Sequence, residues 1–275
     1  MATPKFKYDE KVLVVTTLSI LVLYLMLLIA ADANPAVGDA TQCQLVKVLE
    51  TDSGKSGPTL LIVGGTHGNE LAGTVAMRSV MKEFQEKKRH LSKGKIQWVP
   101  AANPCGLARN ERNIPGNPQR LADLNRNYMH NGGCLGPLAK QICPLVRRAQ
   151  FVLDFHEGWG FHKVHSTSYG STLIPGTTSP SKRVAKQVVE ALNDTIAQDW
   201  KQFEVLDVEA PDGTLRAYCN VEQVPYILVE TSGQNDIQPL NVRQAQCETI
   251  IKKLLALTEN KPNQVYFPGS IPGIQ

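Results

Sequence analysis

Four ionisable residues stand where short apolar runs of the sequence end. The run Thr59 to Val63 leads straight into Gly64-Gly65-Thr66-His67-Gly68-Asn69-Glu70, and Phe151 to Leu153 leads into Asp154-Phe155-His156-Glu157-Gly158. An imidazole and a carboxylate three residues apart, on a turn that opens a helix, reach one metal ion, and the glycines let the backbone fold tightly around it. His67 and Glu70 alone are a weak signal, because a surface histidine and a solvated glutamate leave the same trace. His156 alone reads equally as a hydrogen-bonded core histidine. Together, two histidines and one glutamate make the ligand set of catalytic zinc sites, in which a fourth position is left to water. Glu230 closes another run, Tyr226 to Val229. A carboxylate at the end of a buried strand is costly unless it is paired or used. Glu230 is therefore a candidate general base, and the competing account is a salt bridge to a loop arginine.

The elements that must position these residues follow from hydrophobic periodicity. Thr59 to Val63, Ile96 to Val99, Phe151 to Leu153 and Tyr226 to Val229 are short, rich in β-branched or aromatic residues and bounded by turn formers, which predicts buried strands. Helical spacing predicts covering helices through Leu71, Val75, Val80, Met81 and Phe84, and through Leu138, Ile142, Leu145 and Val146. A third helix is expected from an N-cap at Ser179 with Pro180 as its first residue, and a fourth through Val242, Ala245, Ile250 and Leu254. Strands alternating with helices imply a single-domain α/β/α sandwich with a mixed, largely parallel central sheet. In such sheets ligands gather beyond the carboxyl ends of the strands, where His67, Glu70 and His156 are all expected. Residues 103 to 137 are rich in Gly, Pro, Asn and Arg, and a connection of that length is expected to be functional.

The chain has 275 residues, with 29 Lys and Arg against 25 Asp and Glu, a formal charge of +4. That balance argues against a nucleic-acid partner, whose phosphates require a strongly basic face. A hydrophobic content of 42% excludes wholesale disorder. Residues 12 to 31 carry no charge, and twenty helical residues span about 30 Å, the thickness of a bilayer core. Lys5, Lys7 and Lys11 precede this run and no Lys or Arg follows until Lys47. The positive-inside bias then gives a cytoplasmic tail at 1–11, a signal anchor at 12–33 and a domain at 34–275 beyond the membrane. Ala31-Asp32-Ala33 allows the alternative of a cleaved signal peptide and a secreted domain. The six cysteines all follow the apolar run and permit three disulfides, and none forms a CxxC pair.

At the level of motifs the sequence resembles the zinc carboxypeptidases, in their succinylglutamate desuccinylase/aspartoacylase-like branch. GGTHGNELAG is similar to the first metal motif, DFHEG to the motif of the third ligand, and NPCGLARNERN with DLNRNY to the substrate-binding stretch. VETSG is similar to the segment that bears the catalytic glutamate. The resemblance implies one Zn²⁺ ion on His67, Glu70 and His156, with Asp123 behind the first histidine. It implies Arg112 as the oxyanion arginine, Asn125 and Arg126 as the grip on the substrate's free carboxylate, and Glu230 as the base. An insertion at 114–121 leaves Arg109 and Arg120 as rivals of Arg112. Tyr218 is the candidate for the substrate-contacting tyrosine of the carboxypeptidases.

The activity so implied is hydrolysis of an amide next to a free carboxylate, foremost at the C-terminus of a peptide. A zinc ion lowers the pKa of a bound water to about 7 and so supplies the nucleophile. Aspartoacylase-like relatives carry a β-rich domain after the catalytic glutamate, whereas 45 residues follow Glu230, which favours an open cleft and a peptide substrate. The alternatives are an N-acyl amino acid amidohydrolase and a catalytically silent, membrane-anchored binding domain.

Overall fold

The apolar runs pair edge to edge in a computed structural model of the chain, which describes residues 42–129 and 133–260. The expected tail at 1–11 and helix at 12–33 lie outside the described residues. Among those described, no helix is long and apolar enough to cross a membrane. In chain order the elements are β1 (Leu49–Asp52), β2 (Thr59–Val63), α1 (Ala72–Gln85), β3 (Lys95–Val99), α2 (Pro104–Arg109), α3 (Gln119–Ala122) and α4 (Gly136–Arg148). Then follow β4 (Phe151–Gly158), β5 (Thr172–Pro175), α5 (Ser179–Asn193), β6 (Glu204–Val205), α6 (Leu215–Val221), β7 (Tyr226–Ser232) and α7 (Leu240–Asn260).

The strands form one sheet in the order β1-β3-β2-β4-β7-β5-β6. The central pairs β3/β2, β2/β4 and β4/β7 are parallel, and β1/β3 and β5/β7 are antiparallel. Alternate strand residues face opposite layers. Leu60, Ile62, Phe151, Leu153 and Phe155 join residues of α1, α5 and α7 in one core, while Leu61, Val63, Val152 and Tyr226 join α4 and α6 in another. The sandwich expected from the alternation of elements is therefore present, with a core on each face.

Some local readings change. The N-cap of α5 is Thr178, whose side chain accepts from Ser181 N, so Ser179 and Pro180 lie inside the first turn. On α7 the buried stripe is Cys247, Ile250, Ile251, Leu254 and Leu255, and Val242 is 40% exposed. Ile250 and Leu254 of the expected face are on this stripe, whereas Val242 and Ala245 are exposed and the buried positions of the first turns are Arg243 and Gln246. Two disulfides form, Cys43–Cys105 and Cys134–Cys143, while Cys219 and Cys247 are buried free thiols. The third permitted disulfide is absent because Cys219 belongs to the α4/α6 core and Cys247 to the core on the opposite face of the sheet.

Candidate metal centre

The register of two neighbouring strands begins the site. His156 on β4 is paired with Glu230 on β7, and Asp154, two residues before His156, faces the same way. From β2 the chain turns through His67 to Glu70, where Glu70 N donates to His67 O (3.2 Å) just before α1. The turn is pressed against α2: a Cβ on Gly68 would run into the backbone of Gly106. Gly68 N also donates to Arg112 O (3.3 Å), which fixes Arg112 beside the turn.

The three expected ligands converge. One ligand atom from each of His67, Glu70 and His156 lies within 4.8 Å of the others, and the residues are only 3%, 4% and 3% exposed. His67 Nδ1 is 2.8 Å from Glu70 Oε1 and 3.0 Å from His156 Nδ1, which is itself 2.9 Å from Glu70 Oε2. The opposite ring nitrogens face carboxylates, His67 Nε2 at 3.2 Å from Asp123 Oδ1 and His156 Nε2 at 3.4 Å from Asp154 Oδ2. The approach of Asp154 to His156 Nε2 is an ionic contact rather than a hydrogen bond. With the protons on Nε2, facing the carboxylates, both Nδ1 lone pairs turn inward. Two lone pairs and a carboxylate pointing at one another in a buried space repel unless a positive charge lies among them. The donor set therefore fits a divalent cation, and two nitrogens with a carboxylate suit zinc.

The electrostatics express the same demand. Burial opposes ionisation of Glu70, yet His156 and His67 overcome it and draw its pKa down to about 2. Burial likewise opposes protonation of His156, and Asp154 and Glu70 outweigh it and raise its proton affinity well above the ordinary imidazole range. Asp123 is held below the usual carboxylate range, because His67 and Arg112 outweigh its burial. Glu230 moves the other way. Burial pushes its pKa up to about 8, aided by Glu70 and Asp154 and resisted by His156 and Arg112.

Arg112 lies on the triad, with Nη1 3.3 Å from Glu70 Oε1 and Nη2 3.5 Å from Asp123 Oδ2. Arg109 and Arg120 do not line the cleft over the ligands, so of the three arginines proposed for this position Arg112 is the one that reaches them. A cleft of about 250 Å³ opens over the triad, and Arg112, Asn125, Arg126 and Glu230 all line it. Asp123 caps the turn Leu124–Arg126 by accepting from Asn125 N (2.9 Å). Asn125 Oδ1 accepts from Leu215 N (3.0 Å) at the start of α6, which leaves the amide nitrogen for a ligand.

Tyr218 is not brought to this cleft. It is 2% exposed and packed in the α4/α6 core, where Arg147 Nη1 donates to its hydroxyl (2.9 Å). Leu215, Tyr218 and Cys219 form the inward stripe of α6, so its phase carries Tyr218 away from the opening and leaves Arg216 to line it. The expectation of a substrate contact by Tyr218 is corrected accordingly.

Three residues of the site escape sequence reasoning. Asp154 orients His156, and its position two residues earlier on the same strand was the available signal. Glu157 faces the other layer, accepting from Ala72 N (2.7 Å) and from Arg243, and so ties α1 and α7 to the end of β4. Arg216 is 4% exposed and donates to the carbonyls of Val208 (3.0 Å) and Glu209. Among the described residues it forms no ion pair with a carboxylate, and nothing in its sequence neighbourhood marks it.

The pattern of the succinylglutamate desuccinylase/aspartoacylase catalytic domain matches residues 56–247. The chain belongs to this family, and it is a hydrolase-family enzyme with a His-Glu-His metal site. No curated protein sequence matches the chain. Among solved structures, it is similar to the tripeptide-bound cell shape determinant Csd4 of Helicobacter pylori, at 18% identity and a TM-score of 0.63, over 78% of this chain and 55% of that one. The mDAP-bound form of that protein is described as a D,L-carboxypeptidase. An aspartoacylase family protein of Mesorhizobium loti is 21% identical, with a TM-score of 0.54, over 78% and 63% of the two chains. A metallopeptidase-like protein of Shewanella denitrificans is 17% identical, with a TM-score of 0.57, over 82% of each. The chain thus spans about half the length of Csd4. At these identities the likeness establishes the fold.

Proposed function

We propose that the protein is a zinc-dependent carboxypeptidase that removes the terminal residue from a peptide with a free carboxylate. The observation that carries this reading is the convergence of the triad, Glu230, Arg112 and Arg126 on one cleft. Zinc, when bound, supplies the Lewis acidity that activates a water and polarises the scissile carbonyl. Glu230 takes the proton of the attacking water and delivers it to the departing nitrogen, and its raised proton affinity suits that task. The guanidinium of Arg112 faces the oxygen that gains negative charge as the carbonyl becomes tetrahedral, an interaction stronger in the transition state than before it. Arg126 offers a planar fork to the substrate carboxylate, with the amide of Asn125 beside it.

Support from outside the site comes from Csd4, which has a tripeptide in one of its structures. The disulfides Cys43–Cys105 and Cys134–Cys143 support an oxidising compartment, as expected for a domain exported behind an anchor or signal. A second reading, hydrolysis of N-acyl amino acids, is favoured by Arg216, a third guanidinium on the cleft beside Arg112 and Arg126, suited to the second carboxylate of a dicarboxylic substrate.

The test is hydrolysis of blocked dipeptides and of N-acylaspartate or N-succinylglutamate by the purified protein, with zinc and with a chelator. The carboxypeptidase reading expects zinc-dependent release of the terminal residue from the dipeptides. Cleavage that persists in chelator removes the mechanism, and activity confined to the acylated amino acids establishes the second reading.

A further inference from the structure

Two aromatic side chains that line the cleft, Trp159 and Tyr169, are not used by the hydrolytic chemistry, and they remain 42% and 48% exposed. Both stand on the connection from β4 to β5, directly after the ligand strand. Isolated exposed aromatics are ordinary on a protein surface. These two share one binding cleft and a backbone that holds them in place.

The connection is cross-braced. A Cβ on Gly158 would lie 2.6 Å from Gly170 N, and one on Gly170 would collide with Gly160 O, so the two limbs touch at a distance that glycine alone permits. His162 N donates to Gly170 O (2.8 Å), Gly170 N donates to Ser168 Oγ (3.0 Å), and Ser168 Oγ donates to Trp159 O. Thr172 Oγ1 donates to Tyr169 O (2.6 Å). The Trp159 ring leans on His165, with centroids 5.7 Å apart. Large side chains with few torsions on a pinned backbone lose little entropy when a ligand covers them.

Volume decides what could cover them. The cleft of about 250 Å³ falls below the roughly 300–1,000 Å³ of sites that enclose a drug-sized ligand. It therefore accommodates the end of a substrate, and a longer chain must leave across the mouth.

We propose that Trp159 and Tyr169 form a subsite for the peptide residues on the N-terminal side of the scissile bond, with apolar side chains or aliphatic stems packed on the ring faces. This proposal rests on the carboxypeptidase reading of the same cleft. It makes peptides of three or more residues better substrates than blocked dipeptides. It also separates this enzyme from one built for N-acyl amino acids, which have no further residues to lay on those rings.

The experiment is a length series of N-blocked di-, tri- and tetrapeptides with a common C-terminal residue, hydrolysed by the zinc-loaded full-length protein. The expected kcat/KM rises roughly tenfold between two and three residues, the scale for covering one aromatic face. Trp159→Ala and Tyr169→Ala should erase most of that rise through KM, Trp159→Phe should keep part of it, and Trp200→Ala, which does not line the cleft, should keep all of it. Peptide hydrolysis that is indifferent to length, or a rise that survives both alanine variants, overturns the subsite alone. Hydrolysis of N-acylaspartate with no cleavage of any peptide overturns the subsite together with the carboxypeptidase reading.

Discussion

Asp154 has the most to say about how single residues build this centre. Its carboxylate accepts from the Tyr226 hydroxyl (2.8 Å) and lies behind His156. Partners of this kind fix the tautomer and orientation of a ligand histidine. Asp154→Asn is predicted to lower zinc affinity about 10- to 100-fold, measured by competition with a chelator, and an unchanged affinity would deny the residue this role. Glu230→Gln is predicted to lower kcat about 100- to 10,000-fold with zinc stoichiometry unchanged. A carboxyl with raised proton affinity takes up its proton as pH falls, so the wild-type rate should decline on the acid side and that limb should vanish in the variant. The ligands and Glu230 were legible because each closes an apolar run. Tyr218 was misplaced because its direction depends on the phase of α6, which Thr214 sets by accepting from Ala217 N. Arg216 was illegible for the related reason that a buried charge facing a cleft looks like any other arginine until the layers are assembled.

Among the elements, β4 does the most, and it does so with both faces. His156 and Asp154 look toward the cleft while Glu157 reaches back to the first turn of α1 and to Arg243 of α7. Glu157→Ala would take from Arg243, 5% exposed, its buried carboxylate partner and leave it only the exposed Asp236 (3.0 Å). The predicted loss of stability is about 1–3 kcal/mol, read from denaturant unfolding, and an unchanged stability would mean that the pair does not hold the helices. Strands β2, β3, β4 and β7 were readable because they are apolar and central. The edge elements were not. Strand β1 is LETD with half its residues exposed, β6 has two residues, and β5 ends in Pro175, a residue that argues against a strand when met in sequence. Pairing with neighbours, rather than local composition, makes these segments strands.

Over the whole molecule, the two buried thiols report on the two cores. Burial raises the pKa of Cys219 and of Cys247 well above the ordinary thiol range. Both stay protonated in the folded state, whereas the unfolded chain ionises above about pH 8.5. Their contribution is thus complete below that pH and falls as pH rises, by about 1.4 kcal/mol per unit for each thiol. The unfolding midpoint should drop more steeply between pH 8.5 and 10 in the wild type than in a Cys219→Ala/Cys247→Ala variant, and parallel curves would contradict the burial. The sandwich itself was legible from the alternation of strand and helix, whereas the number of disulfides was not, because an even cysteine count says nothing of which sulfurs meet. What the fold accomplishes as a whole is to bring His67 and Glu70 from one strand end to His156 from its neighbour. Equilibrium zinc binding tests that claim most directly: one ion per wild-type chain, with tight binding lost in each of His67→Ala, Glu70→Gln and His156→Ala, is the predicted result. Stoichiometric binding of undiminished affinity in the His156→Ala protein would contradict it.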